Sequence, residues 1–125
     1  MTRPPSPLEQ DVILKLLSLD FVGSKELVEQ LDDLTVWQVD ENGSLLMEVG
    51  SPISAIGIDG VVAEAIYRDL DTSESNPIRV NILLHVKQGR LWMLEIYKDD
   101  GSRIGKKPIP EEFALFTRLP KSRTS

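Results

Sequence analysis

No cysteine occurs anywhere in the chain, and histidine occurs once. These two shortages remove more chemistry than any motif adds. Without cysteine there are no disulfides, no thiolate nucleophile and no sulfur-ligated zinc or iron, and the redox compartment is not indicated by that route. With His85 alone, Ser/His/Asp catalysis or a multi-histidine metal site could run only through one position, and no Gly-x-Ser-x-Gly elbow accompanies it. Long apolar runs are missing as well. The stretch Met1 to Pro7 has one basic residue and no apolar core behind it, and no uncharged apolar run approaches the ~18 residues that span a bilayer. A cytoplasmic protein without a membrane partner is expected.

Two loops imitate cofactor motifs and fail on chemistry. Asp69, Asp71 and Ser73 match the first ligand positions of a calcium loop, but Glu74 stands where glycine must turn the chain and Val80 where a bidentate glutamate should close the site. Gly101-Ser102-Arg103-Ile104-Gly105-Lys106-Lys107 is one residue short between its glycines for a phosphate loop and lacks the hydroxyl residue after the lysine. No metal and no cofactor are expected.

What is present is ordinary globular composition, 41% hydrophobic and 27% charged, in 125 residues. A chain of this size buries roughly two-thirds of its extended surface on folding, enough for one self-sufficient core. The net charge of -6 is unevenly spread: residues 1–102 carry eight Lys/Arg against eighteen Asp/Glu, whereas residues 103–125 carry six against two. An acidic body repels phosphate, and the basic end has no interleaved aromatic platform, so nucleic acid is not an expected partner. The expected organisation is a disordered N-terminal arm at 1–5, a single domain at 6–117, and a basic disordered tail at 118–125.

Ser6-Pro7-Leu8-Glu9 is a capping box with proline at the first helical position. Leu8, Val12, Ile13, Leu16, Leu17 and Leu19 then recur at helical spacing. Ser24 is the expected N-cap of a second helix whose apolar face carries Leu27, Val28, Leu31 and Leu34. From Thr35 the period becomes two. A three-residue Glu41-Asn42-Gly43 loop would pair Val39 with Leu45, Trp37 with Met47 and Thr35 with Val49 on the core side. Asn42-Gly43-Ser44 also fits a glycosylation acceptor, but the turn explains it sufficiently without a secretory signal. Val61 to Leu70 fits a helix or a strand by pattern, and the turn-rich Asp71 to Pro77 that follows favours a strand.

The clearest signal is the hairpin around Gln88-Gly89. With Lys87-Gln88-Gly89 as its loop, Ile78, Val80, Ile82, Leu84 and Val86 share the core face with Trp92, Leu94 and Ile96. The other face then gathers Arg79, Asn81, Leu83, His85, Leu91, Met93, Glu95 and Tyr97, with Asn81 opposite Glu95, Arg79 opposite Tyr97 and His85 opposite Leu91. This mixture is too apolar for water and too polar for a dry core, and Tyr, Arg and Met are enriched where partners dock. These eight residues are the candidate binding site. No catalytic residue is proposed, since only His85 with Glu95 offers a base pair.

The residues Leu83-Leu84-His85-Val86, Gly89-Arg90-Leu91, Leu94-Glu95-Ile96-Tyr97-Lys98-Asp99 and Pro108 resemble a group of small bacterial proteins of uncharacterised function, a domain of unknown function, over most of residues 8–110. The resemblance implies a fold and little chemistry. Some members look like antitoxin-style immunity proteins, which adds an inhibitory role to the expectations. The expected architecture is α+β, with two N-terminal helices packed on one face of a twisted antiparallel sheet of four to five strands, helix 1 covering Trp37, Met47, Val80, Ile82 and Trp92. Three roles follow. The first is a non-enzymatic protein-binding module, homodimeric or immunity-like, acting through the mixed face. The second is a small-molecule binder or enzyme with His85, Glu95 and Tyr97 in a pocket between the sheet and an irregular C-terminal flap expected from Pro108, Pro110 and the Phe113-Leu115-Phe116 group. The third is a structural domain whose own helices bury that face.

Overall fold

The computed structural model describes residues 2–69 and 77–122. Helix α1, Pro7–Leu17, starts where the capping box places it: Ser6 Oγ accepts from the Glu9 amide at 3.2 Å and the Glu9 carboxylate accepts from the Ser6 amide at 2.8 Å. Its stripe Val12, Ile13, Leu16 and Leu17 is buried. Helix α2, Ser24–Glu29, is capped by Gly23 rather than by Ser24. The chain reverses there at φ 92°, a conformation glycine adopts without penalty and serine does not. A 3₁₀ turn at Gln30–Asp33 leads into the sheet.

The sheet has six strands instead of four to five: β1 Leu34–Gln38, β2 Leu45–Val49, β3 Gly60–Asp69, β4 Ile78–Lys87, β5 Arg90–Lys98 and β6 Ala114–Phe116, in the order β1-β2-β5-β4-β3-β6 and antiparallel throughout. The architecture is α+β, and the ambiguous segment after Gly60 is a strand. The additional strand is β6, from the group expected to form an irregular flap; it pairs Glu64 with Phe116 and Ile66 with Ala114. The turn-rich connection read at Asp71 to Pro77 lies almost wholly outside the described residues. Among the described residues no helix is long and apolar enough to cross a membrane. Two outer segments are tied to the body: Arg3 exchanges two backbone hydrogen bonds with Val36, at 2.9 and 2.7 Å, and Pro120 accepts from the Val22 amide at 2.8 Å.

One sheet face carries the core and receives α1. Val36, Leu45, Met47, Ala65, Val80, Ile82, Leu84 and Leu94 are buried there with the helical stripe. Met47, Val80 and Ile82 are thus on the expected side, but Trp37 and Trp92 are not. In the first hairpin the observed pairs are Leu34 with Val49, Val36 with Met47 and Gln38 with Leu45, which turns Thr35, Trp37 and Val39 out of the core and puts Leu34 and Val36 into it. The cause is the loop. Asp40 Oδ1 accepts from the amides of both Asn42 and Ser44, and the Val39 amide bonds to the Ser44 carbonyl, so four residues, Asp40 to Gly43, make the turn. Buried Ser44 then fixes the register, its Oγ accepting from the Ile96 amide at 2.9 Å and facing the Ile96 carbonyl at 3.2 Å.

The second hairpin turns on two residues, not three. Gln88 at φ 52° and Gly89 at φ 76° form the left-handed pair of a tight hairpin turn, with Lys87 opposite Arg90 and Val86 opposite Leu91. A bulge follows, in which His85 faces Met93 and Trp92 is the extra residue. Strict alternation would have sent Leu94 and Ile96 outward; the bulge returns them to the core. Gln30 holds this arrangement. Its fully buried amide donates to the carbonyls of Gly89 at 2.8 Å and Ile53 at 3.0 Å and accepts from the Leu91 amide at 2.9 Å.

Gly89 has no room for a side chain. A Cβ there would lie 2.6 Å from the Ala55 carbonyl oxygen and 2.4 Å from Ser54 Oγ. Gly89→Ala combines that clash with a left-handed backbone and should cost about 2–3 kcal/mol, read as a shift in the urea midpoint. An unchanged midpoint would show that the turn relaxes freely.

Candidate functional site

The sheet face opposite α1 is where most of the sequence-predicted residues meet. Arg79, Asn81, Leu83 and His85 of β4 and Met93, Glu95 and Tyr97 of β5 all lie on it, none of them buried. Leu91 does not. It is 2% exposed and faces the core, because the two-residue turn sets it opposite Val86 and Gln30 holds its amide, and Trp92, 40% exposed, stands outside as the bulge residue.

The polar pairings also differ from the expected ladder. Asn81 stands opposite Tyr97, Leu83 opposite Glu95 and His85 opposite Met93. Asn81 Nδ2 and Arg79 Nε both donate to Asp99, at 2.7 and 3.0 Å, so the turn residue Asp99 is the hub of that end. His85 Nε2 reaches diagonally to Glu95 Oε1 at 2.9 Å, its ring meets Trp92 edge-on at 6.1 Å, and Lys87 Nζ sits 5.4 Å from the centre of the Trp92 ring.

Register extends this face beyond the second hairpin. Trp37 lies opposite Leu46, Leu46 opposite Met93, Met93 opposite His85 and His85 opposite Val61, one unbroken row across five strands. Leu83 continues through Glu64 to Phe116, and Asn81 through Ile66 to Ala114. Trp37, Leu46, Val61, Ile66 and Phe116 went unread in the sequence as members of the face. Their membership depends on strand order, which one-chain periodicity does not carry. Among the described residues no group of three or more His, Asp or Glu is placed to hold a metal ion.

The family model for a domain of unknown function, DUF6984, matches residues 2–108. The chain belongs to the DUF6984 family. The matched span of this DUF6984 domain takes in β1 to β5 and the loop before Pro108, and stops short of β6. No curated protein and no solved structure shows significant similarity to it.

The cleft between the sheet and the C-terminal segment of this DUF6984 domain is on the α1 side. It is a cavity of about 470 Å³ floored by Leu94 and Ile96 and bounded by residues 103–108, and His85, Glu95 and Tyr97 are not among its lining residues. The expected pocket around those three is therefore absent from it: they stand on the opposite surface. Beside the cleft lies a buried ion pair, Lys98 Nζ to Asp69 Oδ2 at 3.2 Å, both side chains at most 1% exposed. The Gly105 amide donates to the same Asp69 oxygen at 2.7 Å. Burial alone would raise the Asp69 pKa, but the loop amides and Lys98 outweigh it and hold the carboxyl below its ordinary value. Neighbouring Tyr67, which donates to the Lys106 carbonyl at 2.8 Å, is pushed up to about 12 by burial and by the charge of Asp69.

Proposed function

We propose that this domain is a non-enzymatic protein-binding module that docks its partner on the open sheet face, and that a second copy of the chain is the partner that fits it. The supporting observation is the row Trp37, Leu46, Met93, His85 and Val61, which no described element covers. Five strand spacings by about five residues give roughly 400 Å² of plane per face. Two faces stacked together then approach the roughly 1,000 Å² of a small specific interface. Charges of both signs sit around the row, Glu64 and Glu95 towards its middle and Arg68 and Arg79 towards one end, so a two-fold stack can place acid against base. His85 and Glu95 serve here as polar specificity around an apolar centre. Neither residue lines the cleft on the α1 side of the sheet.

Sedimentation equilibrium tests this reading. The wild type should self-associate weakly, with a midpoint near roughly 10–100 µM, and added salt should strengthen association by screening the -6 charge of each copy. Met93→Glu should leave the chain monomeric with little change in melting temperature. A wild type that remains monomeric at millimolar concentration would overturn the proposal, as would association that Met93→Glu leaves intact.

A further inference from the structure

The cleft on the α1 side has a chemistry of its own, and the open sheet face plays no part in it. Leu8, Val12, Leu94, Ile96 and Ile104 make its walls and floor apolar, and about 470 Å³ lies within the roughly 300–1,000 Å³ that small-molecule sites occupy. Leu8 has no core role, being 37% exposed although it belongs to the apolar pattern of α1.

The polar groups around the cleft are mostly spent. Gln38 Nε2 donates to the Asp40 carbonyl, Asn42 Nδ2 to the Ile96 carbonyl and Tyr67 Oη to the Lys106 carbonyl. Ser6 and Glu9 are consumed by the helix cap, and Glu9 is further neutralised by Arg3 at 2.6 Å. Lys106 is paired with Glu112 at 2.6 Å. What remains among the described residues is Arg103 and Lys107, neither in an ion pair, against the single acid Glu41. On a chain whose first 102 residues are strongly acidic, the free charge at this rim is cationic.

We infer that the cleft binds a small amphipathic anion, an apolar chain or ring carrying one carboxylate or comparable acidic group, with the apolar body on Leu94 and Ile96 and the acid at Arg103 and Lys107. The charge left unsatisfied selects the anion, and the neutral side chains around it already hold one hydrogen bond each within the chain. The site is independent of self-association, since it lies on the other face of the sheet.

Titration of the full chain with decanoate, decanol and decylamine, followed by amide chemical shifts, decides it. Decanoate should bind saturably and move amides at 94–96 and 103–108, with decanol at least about tenfold weaker and decylamine weaker still. Arg103→Glu with Lys107→Glu should lower decanoate affinity by about tenfold or more. Leu8→Trp, which fills the mouth, should weaken decanoate and decanol alike. The inference falls if decanoate does not saturate, if decanol binds equally well, if the double charge reversal has no effect, or if the shifted amides map to the open face.

Discussion

Asp69→Asn is expected to lower stability by about 3–5 kcal/mol, because it takes away the negative charge that faces Lys98 at 3.2 Å in a site where both side chains are at most 1% exposed. For a domain of this size the melting temperature should fall by roughly 10–20 °C. Lys98→Met should cost a similar amount for the mirror reason, an unpaired buried carboxylate. Removing both charges together, Asp69→Asn with Lys98→Met, should recover most of the loss, since taking a buried pair out whole is far cheaper than breaking it. The pH dependence follows from the lowered Asp69 pKa. A carboxyl depressed in the folded state contributes its full stabilisation above its unfolded value of about 4, and that contribution disappears as pH falls through the folded value. The wild type should therefore lose stability steeply on acidification below about pH 4, and Asp69→Asn should show a flatter acid limb. Urea midpoints measured across that range, with parallel limbs for the two proteins, would show that Asp69 does not carry the acid response.

Gln30→Ala should cost about 3–4 kcal/mol, combining a cavity with the loss of two buried hydrogen bonds and one part-buried one. The Leu91 amide would be left as a buried donor whose partner in the structure is the Gln30 carbonyl oxygen. Gln30→Met separates the two contributions by keeping the volume. It should still cost about 2 kcal/mol or more if the hydrogen bonds matter, and less than about 1 kcal/mol if packing is the whole effect. Because Gln30 sets the turn that precedes the bulge, amide exchange at Leu91 and Trp92 should accelerate in Gln30→Met more than at Val80 or Ile82, a contrast that a uniform loss of stability would not produce.

Local rules made much of this molecule legible. The capping box at Ser6 and Glu9, the Val12, Ile13, Leu16 and Leu17 stripe of α1 and the alternation of β4 involve neighbours within a few residues and are seen as read, whereas Leu8 of that stripe is exposed and Leu19 lies past the end of the helix. The misreadings arise where a distant residue casts the deciding vote. A three-residue loop would put Trp37 inside, yet the four-residue turn closed by Asp40 sets a register that places Val36 there, and the Ser44 bonds to Ile96, 52 positions away, tie that hairpin to β5. Leu91 and Trp92 exchanged faces because a two-residue turn and a one-residue bulge nearly cancel; from Met93 to Tyr97 the alternation came out as expected, although through a different geometry. The pairing of Asp69 with Lys98 joins β3 to the end of β5, a relation that neither segment displays alone.

The bridge between Arg3 and Val36 has a consequence for how copies of this chain can meet. A sheet's outermost strands normally invite lateral growth through their unpaired backbone groups. Here one border is occupied by the chain's own start, clasped by the ion pair from Arg3 to Glu9, and the other is a strand of only three residues. Side-by-side extension into fibres is discouraged at both borders, which favours the face-to-face pairing proposed above over lateral growth.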